Sequence, residues 1–297
     1  MPRLPRGLIS DMQQDQTTTI ALALELAIER LAHIPDTIPR LEAEVLLSSL
    51  LDKPRTYLVA WPEMQLSPEQ ADSFNSMIKR RTKHEPIAYI TGCREFWSLN
   101  LEVTPDTLIP RPETETLVEL ALKHIPQRDP MKIADLGTGS GAIAAAIASE
   151  RPMCTILATD FSPNTLRVAE RNFHRLGFKN IHTSMGEWCS ALPPGEQFDI
   201  IVSNPPYVAE GDGHLAHDGL PWEPQRALRA GDDGLDELSQ IIAGTPEHIA
   251  SGGWLLLEHG FDQGDRVRSL LEQAGYSAIH TSQDLSGHDR VSTGRRM

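Results

Sequence analysis

A chain of 297 residues with 40% hydrophobic and 23% charged residues has apolar material for one large domain and a smaller one, and describes an ordinary globular protein rather than a disordered one. Its net charge of −14, from 27 basic and 41 acidic residues, weighs against direct nucleic-acid binding, because affinity for polyanions comes largely from Lys and Arg neutralising phosphates. A basic protein partner suits it better. Cys93, Cys154 and Cys189 are odd in number and widely spaced, which gives neither a disulfide framework nor a zinc site and fits a reducing cytoplasm. No run of 18 apolar residues is present, and the N-terminus carries Arg3 and Arg6 without an apolar stretch long enough for a signal peptide, so a cytoplasmic protein that uses no membrane is expected; a monomer is expected too, though nothing in the sequence fixes the oligomeric state.

Residues 1–16 read as a loose tail. From Thr17 to about Ala32 strong helix formers follow threonine caps. Pro39 opens a second helix that turns Leu41, Val45, Leu46 and Leu50 towards a core, and Ser67-Pro68-Glu69 opens a third that runs to about Lys83. Residues 17–85 are therefore expected to form a small helical domain, a partner-binding or lid module without charged clusters of ligand spacing. Lys79, Arg80, Arg81 and Lys83 complement the dipole at the end of its third helix and read as a solvated face rather than a binding patch.

Between about Ile87 and Leu108 the apolar pattern changes to alternation, with Ala88-Tyr89-Ile90 and then Phe96 to Val103, and residues 86–110 are assigned to a β-hairpin linker. In the next segment, Leu108 to Glu115, Pro112 suits a first helical turn and Glu113 and Glu115 complement its dipole, which leaves Arg111 without a role. From Lys132 onward strands near 132–136, 154–159, 180–184, 198–203, 253–259, 276–283 and 289–293 alternate with helices near 141–150, 163–176, 236–249 and 264–275. That spacing predicts an α/β domain over 111–297, with a doubly wound, mostly parallel sheet of seven strands. The gap holding Gly287 and His288 is short enough that the last strand must return antiparallel.

Three strand ends carry the chemistry. Phe198-Asp199-Ile200-Ile201-Val202 reads as a buried parallel strand, and Ser203-Asn204-Pro205-Pro206-Tyr207 ends it, since two prolines remove ladder donors and fix φ. Asn204 and the carbonyl of Pro205 then face the crevice beyond the sheet as two hydrogen-bond acceptors, with Pro206 and Tyr207 as a flat wall. A planar group bearing an NH2 would fit there with its nitrogen aimed at an electrophile. Asp135-Leu136-Gly137-Thr138-Gly139-Ser140-Gly141 closes the first strand of the sheet with spacing G-x-G-x-G, unlike the dinucleotide pattern G-x-G-x-x-G. Asp160, ending the second, stands where acidic residues accept ribose hydroxyls. The histidines, His214 and His217 included, lack a third ligand of convincing spacing, and no metal is expected.

With these residues the sequence resembles S-adenosylmethionine-dependent methyltransferases of the Rossmann-like class I type, and among them the family that methylates the glutamine side chain of peptide chain release factors. The resemblance covers nearly the whole chain after the tail. It runs through Arg40 to Glu44, Glu85 to Gly92, Arg94 to Trp97, Leu108 to Glu115, Asp135 to Ile143, Asn204 to Tyr207, Glu223-Pro224, Gly231 to Leu235, Glu258-His259-Gly260 and Gln263-Gly264. It implies methyl transfer to the glutamine of a Gly-Gly-Gln motif, with release factors as protein substrate. It also implies that Gly137, Thr138, Gly139, Ser140 and Gly141 hold the methionyl end of the cofactor, Asp160 its ribose and Trp188 its adenine. Asn204 belongs to both cofactor and substrate sites, and Asn204, Pro205, Pro206 and Tyr207 to substrate binding and catalysis. Two departures stand out: Glu187 precedes Trp188 where the family usually has Asp, and the end Gly294-Arg295-Arg296-Met297 lacks the family's aromatic ending.

Two alternatives compete. An adenine methyltransferase acting on DNA or RNA shares Asn204 to Tyr207, but a basic target-recognition region is missing. A dinucleotide-dependent oxidoreductase would need the glycine spacing that is absent.

Overall fold

The computed structural model describes residues 18–35, 37–213 and 219–297, so the tail 1–16 and both His214 and His217 lie outside the described residues. The chain divides into two compact units, Met1–Thr91 and Gly92–Met297.

The first unit is helical: α1 (Ile20–Leu31), α2 (Pro39–Leu51), α3 (Arg55–Ala60), α4 (Pro68–Arg81) and α5 (Ile87–Thr91). The caps do what their sequence predicts. Thr19 accepts from the Leu22 N–H at 3.2 Å, and Ser67 with Gln70 closes a reciprocal capping box at the start of α4. Ile20, Leu31, Leu46, Leu47, Leu58, Phe74 and Ile78 fill the core. Of the four α2 residues expected inward only Leu46 is buried; the inward stripe is centred on Ala43, Leu46 and Leu47, which leaves Leu41, Val45 and Leu50 half-buried on its flanks. The basic end of α4 is less solvated than its composition suggests. Arg80 donates to Glu85 and to the carbonyl of Tyr89, and Arg81 binds Glu42 at 2.8 and 3.0 Å.

Residues 87–91 are helical, not the start of a hairpin. The Pro86 carbonyl accepts from the N–H groups of Tyr89 and Ile90, and the four apolar residues from Ile87 to Ile90 are too few to separate period 2 from period 3.6. The hairpin itself is β1 (Cys93–Phe96) against β2 (Leu99–Glu102), turned by Trp97 and Ser98 at φ +52° and +58°. Tight mirror-image turns usually use Asn-Gly or Asp-Gly, so this pair gives no turn signal. The segment expected as a linker, 86–110, thus divides between the two units.

The second unit continues with a 3-10 turn (Pro112–Thr114) and α6 (Glu115–His124). The alternating series follows: β3 (Lys132–Leu136), α7 (Ala142–Glu150), β4 (Thr155–Asp160), α8 (Pro163–Leu176), β5 (Ile181–Met185) and β6 (Phe198–Ser203). It ends with α9 (Asp236–Gly244), β7 (Ile249–Glu258), α10 (Gly264–Gln273), β8 (Tyr276–Gln283) and β9 (Asp289–Arg296). The seven strands are ordered β5-β4-β3-β6-β7-β9-β8, and β9 alone runs antiparallel to both its neighbours β7 and β8. One face of the sheet is covered by α6, α7, α8 and the hairpin, the other by α9 and α10. β9 pairs with both β7 and β8 although the chain lacks a terminal aromatic residue, and the Tyr276 side chain lies close to Gly294. The strand order reverses between β3 and β6, which is where an open α/β sheet leaves a crevice at its carboxyl edge.

One side chain joins three of these pieces. Asn172 of α8 is fully buried; it accepts from the Glu102 N–H at 2.7 Å and donates to the carbonyls of Glu102 and Ser140 at 3.0 and 2.9 Å. Asn172→Ala would strand these backbone groups of β2 and the glycine loop, and is expected to lower the free energy of unfolding by roughly 3 kcal/mol. Denaturant titration checks this, and a change under about 1 kcal/mol would contradict it.

Candidate active site

The glycine loop opens at the end of β3. Asp135 there is fully buried; its Oδ2 accepts from the Thr138 hydroxyl at 2.6 Å and from the Ala144 N–H at 3.2 Å, so a carboxylate clamps the first turn of α7. Its Oδ1 has no hydrogen-bond partner among the described residues, and burial pushes its pKa up to about 7. Gly137 is in the left-handed region at φ +72°, and a Cβ on it would lie 2.9 Å from Trp188 Cζ3. The loop backbone therefore lies directly against an indole.

Asp160, at the end of β4, points back at that loop. Its Oδ2 accepts from the Gly139 N–H at 3.2 Å and its Oδ1 from the Ser162 N–H at 3.0 Å, while burial raises its pKa. Across the cleft Trp188 takes φ +46° and donates Nε1–H to Glu237 Oε2 at 2.5 Å. The Arg226 guanidinium lies 3.9 Å from the centre of the Phe161 ring and binds Glu187 at 2.5 Å. These groups surround an open cleft of about 950 Å³ whose lining includes Leu108, Gly137, Gly139, Asp160, Phe161, Trp188, Asn204, Pro206, Arg226 and Glu237.

The exit of β6 forms the remaining wall. Asn204 Nδ2 donates to Thr114 Oγ1 at 3.1 Å, which commits the nitrogen end of the amide and leaves Oδ1 as its free end. Behind it, Gln263 holds the chain where it leaves the motif: Nε2 donates to the carbonyls of Tyr207 and Gly234 at 3.0 and 3.2 Å, and Oε1 accepts from the Gly260 N–H at 2.8 Å. Tyr207 donates its hydroxyl to Glu258 at 3.2 Å. Arg111 gains a role here, for it pairs with buried Glu223, whose other oxygen accepts from the Ile109 N–H at 3.1 Å and so ties 109–111 to the loop after the motif.

Of the residues expected at a site, Gly137, Gly139, Asp160, Trp188, Asn204 and Pro206 line one cleft. Thr138, Ser140 and Gly141 build the loop from behind: Thr138 bonds Asp135, the Ser140 carbonyl bonds Asn172, and Gly141 begins α7 against the Phe173 ring. Pro205 is buried, and the Tyr207 hydroxyl is turned to Glu258 rather than to the cleft. Leu108, Phe161, Arg226 and Glu237 are among the other lining residues and were not expected at the site from the sequence. Phe161 adjoins Asp160 and could have been inferred; Arg226 and Glu237 carry no local signal.

The arrangement fits S-adenosylmethionine. The cleft pairs a buried carboxylate, Asp160, with apolar surfaces on Trp188, Phe161, Leu108 and Pro206, the mixed lining expected of a small-molecule site. A Cβ placed on Gly139 would meet no atom within 4 Å, so the loop backbone borders open space where a ligand can approach.

Comparison with known proteins gives family matches in both halves of the chain. Residues 23–92 match the family model described as PrmC N-terminal domain, and residues 114–220 match that described as Methyltransferase small domain. The chain is 51% identical to the release factor glutamine methyltransferase of Coxiella burnetii, over 87% of this chain and 92% of that one. It is 48% identical to the Escherichia coli K12 protein of the same name, over 86% and 92% of the two chains. Against the Vibrio cholerae one it is 46% identical, over 94% and 97%. Among solved structures, a methyltransferase from Pyrococcus furiosus aligns at a TM-score of 0.51 and 18% identity, over 75% of this chain and 98% of that one. The 16S rRNA N2 G1207 methyltransferase of Thermus thermophilus, solved with S-adenosylmethionine and guanosine, aligns at 0.53 and 17%, over 69% and 50%. At these identities the two structures speak to fold alone.

Removing the anchor of the cleft's rim tests its importance. Glu223→Ala leaves a buried N–H and the partly exposed Arg111 without a partner, and is expected to cost roughly 3 kcal/mol of stability, the low end for a broken buried pair because water reaches the guanidinium. Thermal or denaturant unfolding measures this; unchanged stability would show that the pair is incidental.

Proposed function

The chain belongs to the release factor glutamine methyltransferase family, and on that footing we propose that Asn204 and Pro205 hold the substrate amide by its two N–H groups while Gly137 to Gly141, Asp160 and Trp188 hold the cofactor. The enzyme transfers a methyl group from S-adenosylmethionine to the side-chain amide nitrogen of a glutamine in peptide chain release factors. The bound cofactor supplies an electrophilic methyl group on a sulfonium whose leaving group is neutral.

The observation that carries the residue assignment is the fixed orientation of Asn204. Its Nδ2 is spent on Thr114, so an acceptor oxygen remains on the cleft wall at the sheet's reversal point, one residue before the carbonyl of Pro205. A primary amide is a poor nucleophile because its nitrogen lone pair is delocalised, the resonance that gives peptide bonds a barrier of about 18–20 kcal/mol. Two acceptors aimed at its N–H groups stabilise positive charge developing on nitrogen and fix the plane of the group. Alignment of well-oriented reactants is worth up to about 7–11 kcal/mol. An N-methylated amide cation is acidic enough to lose its proton without a buried base, which suits a motif offering carbonyl oxygens.

On the cofactor side the Asp160 carboxylate would accept ribose hydroxyls, the loop backbone from Gly137 to Gly141 would hold the methionyl end, and the Trp188 ring would hold the adenine. Pro206 lines the wall against the amide, and Tyr207 anchors the turn from behind. Residues 17–85 are assigned to recognition of the protein substrate, since they form part of a compact unit with its own core and carry Val59, Trp61 and Met64 exposed.

Two variants should separate the halves of the site. Asp160→Ala is expected to weaken cofactor binding by about 10- to 100-fold, as lost charge-assisted bonds are worth roughly 1.5–3 kcal/mol each. Asn204→Ala should leave cofactor affinity within a few-fold and cost turnover at least ~2.7–4 kcal/mol, with Asn204→Asp retaining more activity because it keeps an acceptor. Calorimetry beside a methyl-transfer assay checks both; near-normal turnover in folded Asn204→Ala would reduce that residue to a structural one.

A chain beginning at Gly92 is expected to bind S-adenosylmethionine but to methylate an intact release factor poorly. Full activity of the shortened chain would refute the recognition role of the helical residues.

A further inference from the structure

Glu258 ends β7 directly behind the amide-holding motif and is 1% exposed. Its Oε1 accepts from the Tyr207 hydroxyl at 3.2 Å. Its Oε2 is buried and closes no hydrogen bond among the described residues, although the Thr114 hydroxyl lies close enough to favour the charged carboxyl. Thr114 is itself 4% exposed and accepts from Asn204 Nδ2. A hydroxyl that accepts from Asn204 has one proton left to give, and Glu258 offers an open acceptor beside it.

We propose that Glu258 is a positioning residue for methyl transfer: its carboxylate fixes the direction of the chain from Asn204 Nδ2 to Thr114 to Glu258, and so keeps the oxygen of Asn204 facing the substrate amide. The inference rests on the role given to Asn204 above. Direction matters because an amide is nearly symmetric in shape. Were Thr114 to donate towards Asn204 instead, the side chain would turn over and present its NH2 to the cleft, donor against donor with the incoming glutamine amide. The carboxylate excludes that state, since it accepts hydrogen bonds and donates none.

Several groups face this carboxyl. Glu113, beside Thr114, disfavours its charge, while Arg290 of β9 and the hydroxyls of Thr114 and Tyr207 favour it; Arg111 acts on Tyr207. Arg290 is already bonded to Asp284 and to the His259 carbonyl. His259, next along the chain, is buried, bonded to Gly260 and Ser292, and shifted towards its neutral form. Burial outweighs these favourable contacts and raises the Glu258 pKa to about 7. Below that pH a protonated Glu258 becomes a donor and the chain can reverse, so turnover should fall as pH drops through the neutral range. Asp135 has a similar raised value but lies in the glycine loop, where its titration would act on cofactor affinity.

The test measures turnover of the full-length enzyme on a release factor at saturating cofactor from pH 6 to 9, with cofactor affinity by calorimetry. Glu258→Gln is expected to lower turnover at least tenfold, hold cofactor affinity within threefold, and abolish the fall at low pH. Thr114→Val should behave alike, and Thr114→Ser, which keeps the hydroxyl, should retain most of the wild-type rate. Wild-type turnover with an intact low-pH limb in Glu258→Gln would overturn the proposal. So would equal losses of turnover and cofactor affinity in Glu258→Gln and Thr114→Ser together, which would mark a scaffold residue. Near-normal turnover in folded Asn204→Ala would instead sink the reading of Asn204 on which the inference rests, and the inference with it.

Discussion

Two acceptor atoms at the end of β6 are useful only if nothing satisfies them internally and nothing lets them turn. The prolines at 205 and 206 stop the strand, so the ladder to the neighbouring strands ends at Ser203 and does not reach these oxygens. Thr114 engages the nitrogen of Asn204, Gln263 holds the backbone beyond Tyr207, and the Arg111–Glu223 pair ties residues 109–111 to the loop after the motif. These contacts come from three distant parts of the chain, around residues 109–114, 223 and 263, and hold the motif and the loop that follows it. The chemistry needs that convergence, because a weak nucleophile gains mostly from being held still.

The cofactor half follows a different logic. Asp135 and Asp160 are both buried carboxylates at the sheet edge, and both spend part of their bonding on backbone N–H groups of the glycine loop or of the turns that follow their strands. Burying charge in this way is costly, and it is tolerated because the loop must keep a shape that no side chain could fill. The close approach of Gly137 to Trp188 shows the same constraint from the other side.

Much of this was legible in the sequence because it rests on local signals. The threonine and serine caps, the apolar run ending in two prolines, the glycine spacing and the short antiparallel return each depend on residues a few positions apart. Ile87–Thr91 is helical although its sequence suggests alternation, because four apolar residues do not define a period, and the six residues of α3 are too few to show one. The half-buried places of Leu41, Val45 and Leu50 depend on how far α2 is rotated against its neighbours, which periodicity leaves open by one residue in either direction. The partners of Arg111, Trp188 and Arg226 are set by chain distances of 39 to 112 residues, beyond any pattern read along the sequence.

The account turns on a neutral primary amide being the group held at Asn204. Incubating the enzyme with isotopically labelled S-adenosylmethionine and an intact release factor, then locating the label by mass spectrometry, tests this most directly. The account predicts a single labelled methyl group on the side-chain nitrogen of one glutamine. Label on another residue type, or on nucleic acid offered in the same reaction with none on the protein, would contradict it.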